Sequence, residues 1–194
     1  VMKKCLVLLL IVLMAFGVVG CSGGDEGDSG KVLYTNIGYD PDSFDPQQSN
    51  VLESGLVVNQ LYDNLYREDP NGEFVPSLAE GYTVSDDGLV YTFTLRDGIT
   101  FADGTPITVE DVIYSWTRAL EPSNGFEYAY QLYYIKNGAA FNAGEASADE
   151  LGLKAVDDKT LEVTLESPTP YFASLTGFIT YGVVCKEFVE AQET

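Results

Sequence analysis

Between Leu89 and Leu95 the chain alternates strictly, with Leu89, Tyr91, Phe93 and Leu95 on one side and Val90, Thr92 and Thr94 on the other. A period of two sends successive side chains to opposite faces, so this stretch predicts a strand with one core face. Leu161, Val163 and Leu165 alternate with Thr160, Glu162, Thr164 and Glu166 and predict another, ended by the proline-rich "SPTPYF". Shorter strands are expected at Lys31–Gly38 and Ile99–Phe101. At Val109 the period changes. Val109, Val112, Ile113, Trp116, Ala119 and Leu120 form one helical stripe. Thr108 just before it and Asp111 at the third helical position make a capping box, worth about 1 kcal/mol. A second helix is expected within "ESGLVVNQLYDNLY", where Val57, Leu61 and Leu65 recur every fourth residue with Leu56 alongside. Tyr128, Tyr130, Tyr133 and Tyr134 make an aromatic cluster in a helix or loop. "CKEFVEAQET" reads as the opening turns of an amphipathic helix with no stop signal.

The corners between these elements carry Asp-Gly steps at Asp87-Gly88, Asp97-Gly98 and Asp103-Gly104. Such steps raise the question of a cation loop. An EF-hand needs oxygen ligands at alternate positions, and Ile99, Phe101 and Pro106 stand where ligands are required. The glycines are therefore read as positive-φ corners, with each Asp bonding its own turn.

The N-terminus is a separate object. Lys3 and Lys4 precede an apolar run, Cys5–Gly20, that is shorter than the roughly 20 residues a spanning helix needs. "VVGC", Val18–Cys21, resembles the lipobox of bacterial lipoproteins, in which the Cys is acylated and becomes the new N-terminus. Residues 1–21 are thus expected to be a lipoprotein signal ending in the lipidation site Cys21. "SGGDEGDSG", residues 22–30, is a flexible tether. Once the signal is removed and Cys21 acylated, Cys185 is the one free thiol, so no intrachain disulfide forms and the fold relies on its core.

Composition narrows the function. At 194 residues, 45% hydrophobic and 12% aromatic, the chain can bury a core. A formal charge of −20 excludes a binder of nucleic-acid backbones. The absence of histidine removes Ser-His and Cys-His nucleophile pairs and histidine zinc sites from this segment. No glycine-rich phosphate loop is present. Neither a cofactor nor a metal site is expected.

"LAEGYTVSDDGLVYTFTLRDGITFADGTPITVEDVIYSWTRAL", Leu78–Leu120, resembles the signature segment of the family 5 extracellular solute-binding proteins, the peptide- and nickel-binding lipoproteins of ABC importers. "SFDPQQSN" resembles the family's "LDP" segment, and Leu151–Phe172 is similar to the oligopeptide-binding branch. The resemblance implies a mixed α+β fold, the N-terminal part of a two-lobed periplasmic-binding-protein architecture with an inserted α+β domain. Residues 31–62 would begin lobe one, 63–184 would form the insertion and 185–194 would return to lobe one. It further implies a truncated reading frame that binds peptide poorly on its own, and a monomeric, non-enzymatic, lipid-anchored protein outside the cytoplasm. That protein would hand oligopeptides to ABC permease subunits. Ser49, Asn50, Val51 and Leu52 would run beside the ligand, although Asn50 and Val51 stand where the family often has an acidic residue and a glycine. Tyr128 and Phe178 would reach the ligand from the insertion. Dipeptide, nickel and sugar ligands remain alternatives within the family. A cell-surface hydrolase or a pheromone receptor remains an alternative outside peptide import.

Overall fold

The computed structural model describes residues 34–192, and from Ile37 onward they belong to one compact unit. The signal, the tether and Cys21 lie outside the described residues, as do positions 31–33 of the first expected strand.

The centre is a four-stranded antiparallel sheet of β3 (Ala79–Val84), β4 (Val90–Leu95), β5 (Leu153–Ala155) and β6 (Thr160–Thr164), in the order β3-β4-β6-β5. A two-stranded hairpin, β1 (Tyr66–Glu68) and β2 (Phe74–Pro76), precedes it. The two alternating segments are direct neighbours. Tyr91 pairs with Val163 and Phe93 with Leu161, so their apolar faces coincide and form one surface. Helix α1 (Leu52–Leu61) comes before the hairpin, and α2 (Val109–Leu120) buries Val109, Val112, Trp116, Ala119 and Leu120 in the same core cluster as Phe93, Leu161 and Val163. Ile113, the remaining member of the predicted stripe, is only partly buried. The capping box is present, with the Thr108 backbone N–H donating to Asp111 Oδ2 at 2.9 Å. Short helices α3 (Gly138–Asn142), α4 (Phe172–Leu175) and α5 (Lys186–Gln192) complete the unit. Trp116 meets Tyr181 edge to face at 5.1 Å and donates its indole N–H to the Tyr181 carbonyl at 3.0 Å.

The corners are turns. Gly88, Gly98 and Gly104 have φ of 72°, 70° and 90°. Asp87 Oδ1 accepts from the Leu89 N–H at 3.1 Å, and Asp103 Oδ1 from the Thr105 N–H at 2.9 Å. Asp97 pairs with Lys159. Hydrogen bonds hold all three carboxyls below their usual range: chiefly from the Ser85 hydroxyl to Asp87, from Lys159 to Asp97 and from the Thr105 N–H to Asp103.

Three expected elements differ. The first helix stops at Leu61, because Tyr62 takes extended backbone (φ −121°, ψ 156°), and Tyr66 enters β1 instead. Its buried face is Ser54 and Val58, not Val57 and Leu61; Leu61 is 60% exposed. Periodicity reveals a helix, yet here a serine faces inward, held by an N–H bond from Asp42 at 2.9 Å. The segment Ile99–Phe101 makes a single bridge, Thr100 with Pro106, since proline has no N–H to extend a ladder. Residues 34–38 are irregular rather than a strand, and no strand among the described residues pairs with them.

Candidate ligand site

The segment leading into α1 is fixed from below by one cation. Arg118, in the last turn of α2, donates through Nη1 and Nη2 to the two carboxylate oxygens of Asp45 at 3.1 and 2.5 Å. The same Nη1 donates to Gln47 Oε1 at 2.6 Å. Gln47 is buried and passes the connection on, its Nε2 donating to the Gly182 carbonyl at 2.7 Å. The guanidinium also lies 5.2 Å from the centroid of the Phe126 ring, two residues before Tyr128. A forked, planar donor suits this task, because it satisfies a carboxylate and an amide together.

The opposite wall is set by Asn64, whose Nδ2 donates to the Phe178 carbonyl at 2.8 Å. Tyr128 then packs edge to face on Phe178, centroids 5.5 Å apart. Gly177 lets the β1–β2 hairpin approach. A Cβ there would lie 2.7 Å from the Phe74 ring and 3.2 Å from the Tyr66 carbonyl. The ring of Phe74 therefore reaches the wall only because residue 177 has no side chain.

These elements enclose a hollow of about 590 Å³. All six residues singled out from the sequence, Ser49, Asn50, Val51, Leu52, Tyr128 and Phe178, line it. Their environments differ. Ser49 is buried and its hydroxyl oxygen has no hydrogen-bond partner among the described residues, whereas Leu52 is 75% exposed. Sequence reasoning missed Leu56, Glu68, Phe74, Tyr171 and Leu175, which share the wall. Asp69-Pro70-Asn71-Gly72 is the turn of the hairpin that carries Glu68 and Phe74, but nothing local signals the hairpin's contact with residue 177. Tyr171 meets Tyr134 edge to face at 6.0 Å, and the Tyr171 hydroxyl pushes the Tyr134 phenol above its usual range.

A larger hollow, about 1010 Å³, lies between the C-terminal end of α1, residues 100–103 and α5. None of the six residues lines it, and its wall includes the exposed Leu61 and Phe188. Size alone does not make it the site; the smaller hollow is the one that all six marked residues line. Among the described residues no cluster of three Cys, Asp or Glu is placed to hold a metal ion. What the smaller hollow offers a ligand is apolar and aromatic contact, beside a first helical turn whose backbone N–H groups no side chain caps.

Fold and sequence together define the class. Residues 73–193 match the bacterial extracellular solute-binding proteins, family 5, in the family's middle region, and the chain belongs to that family. Among relatives, it is 43% identical over 184 residues to the oligopeptide-binding protein OppA of Bacillus subtilis, an alignment covering 94% of this chain and 34% of the relative. It is 38% identical, also over 184 residues, to the dipeptide-binding protein DppE of the same organism, covering 89% of this chain and 34% of the relative. The solved structure of Listeria monocytogenes OppA bound to peptide superimposes with a TM-score of 0.75 at 40% identity, over 77% of this chain and 30% of that one. The chain thus spans about a third of the length of the curated relatives it matches. The mixed α/β fold corresponds to part of the architecture of such binding proteins.

Proposed function

We propose that this chain belongs to a substrate-binding protein that captures extended oligopeptides outside the cytoplasmic membrane and presents them to an ABC importer. One observation carries the reading: six positions, marked from sequence alone and up to 129 residues apart, line a single hollow. An extended peptide offers backbone N–H and C=O groups whatever its sequence, and the extended, exposed backbone at Val51 suits pairing with them. Affinity then comes from main-chain bonds and specificity from the walls. Residues 31–62 and 185–194 serve as parts of lobe one and 63–184 as the inserted domain. Hinge closure against a second lobe buries the ligand. Delivery to permease subunits follows binding without chemistry on the peptide. The protein acts as a monomer, held at the membrane by a lipid on Cys21.

The identity to DppE favours a second reading, a preference for dipeptides. Calorimetry of the complete protein against peptides of two to six residues separates the two, with recovered ligand checked by mass spectrometry. Tight binding of unaltered peptides of four or more residues is expected. Selective binding of dipeptides supports the second reading, and consumption of the ligand contradicts both.

A further inference from the structure

The wall of the smaller hollow has a one-sided chemistry. Leu52, Leu56, Phe74, Tyr128, Leu175 and Phe178 make it apolar and aromatic. Phenols aside, Glu68 is its one ionisable lining residue, and it stands on the exposed edge of β1 directly opposite Phe74. None of the three arginines lines this hollow; Arg96 donates to the Pro76 and Ala79 carbonyls. Arg67 lines the larger hollow, and Arg118 lines that hollow while bonded to Asp45 and Gln47. Among the described residues, no lysine or arginine lines the smaller one.

Resting on the peptide reading, we propose that this hollow is a charge-selective side-chain subsite in which Glu68 rejects acidic ligand residues and admits apolar, aromatic or basic ones. The cause is desolvation without compensation. A ligand carboxylate placed here loses water, meets no cation among the described residues and faces a like charge. An apolar or aromatic side chain gains burial against the six hydrophobic neighbours. A lysine or arginine lays its methylene stem along the same surface and brings its charged head to Glu68. Rejection is the sharper half of the device, since discrimination is a difference of affinities and the unpaired charge supplies it.

The test is a positional scan with the complete protein. A neutral pentapeptide receives Glu, Lys or Leu at each position in turn, and binding is measured by calorimetry to the parent protein and to Glu68→Arg. The expected result is one position at which Glu weakens binding by about tenfold or more while Lys and Leu do not, with Glu68→Arg reversing the order of Glu and Lys there. Exposure of Glu68 on a strand edge lets the variant fold, and an unchanged circular dichroism spectrum and urea-unfolding midpoint check it. Equal affinity for Glu, Lys and Leu at every position overturns the subsite while leaving peptide binding intact. A Glu penalty untouched by Glu68→Arg overturns the role of Glu68. Failure of every peptide to bind the parent protein overturns the peptide reading, and the subsite with it.

Discussion

Arg118 grips Asp45 through both carboxylate oxygens across 73 residues of sequence, and both side chains are mostly shielded from water. The pair joins the end of α2 to the segment that enters the proposed site, and the same guanidinium bonds Gln47. Lysine can replace the charge but not the fork. Arg118→Lys is expected to cost about 1–3 kcal/mol of stability, read by urea denaturation. It should weaken peptide binding by more than that stability loss alone explains, because Ser49–Leu52 lose their support. Affinity unchanged in a folded variant would show that the segment holds its shape without the pair.

Gly177 sits under Phe74, with room for no Cβ. In Gly177→Ala the ring must swing away, a rearrangement of about 1–3 kcal/mol. Phe74 is 43% exposed, so much of the strain can relax outward. The larger effect is therefore expected on ligand binding. Thermal unfolding and calorimetry on the same variant check it, and a large loss of melting temperature with unaltered affinity would contradict the assignment of Phe74 to the site.

Tyr181 is fully buried, and its hydroxyl donates to the Gln131 carbonyl at 2.7 Å. Burial, and secondarily the charge of Tyr134, pushes its phenol far above the usual range. A raised pKa means that the folded state keeps the proton after the unfolded state has lost it. Its stabilising contribution is fully present below about pH 10 and is lost progressively as pH climbs from there toward the raised value. Ultraviolet titration should show Tyr181 as the last of the 13 tyrosines to ionise, resisting until the protein unfolds. Tyr181→Phe should reduce that slope and cost about 1 kcal/mol at neutral pH.

The sheet and the main helix were legible because their signals are local. Phe93 and Leu161 announce a core face by alternation, and Val109–Leu120 carries its own cap and stripe. The first helix was legible in kind but not in orientation. Its inward face is Ser54 and Val58, and Ser54 is held by Asp42, a partner 12 residues away that no periodic pattern encodes. β1, β3 and β5 gave too few alternations to read: Glu68 and Phe74 become neighbours only through the hairpin, and Gly152 only through its bond with Thr164. Of the candidate hollow, the six lining positions marked by the resemblance were legible beforehand. Phe74 was not, since its place depends on the absence of a side chain at residue 177, and Glu68 reaches the wall only through its pairing with Phe74.

The central claim is that ligand peptide lies in the hollow between Asn50 and Phe178. The most direct measurement is photo-cross-linking of the complete protein with a bound peptide carrying benzoylphenylalanine, followed by mass-spectrometric mapping. Adducts are expected on residues 50–56, Tyr128 and residues 174–178, and unlabelled peptide should suppress them. Suppressible adducts confined to the larger hollow, at Leu61, Tyr62 or Phe188, would contradict the account.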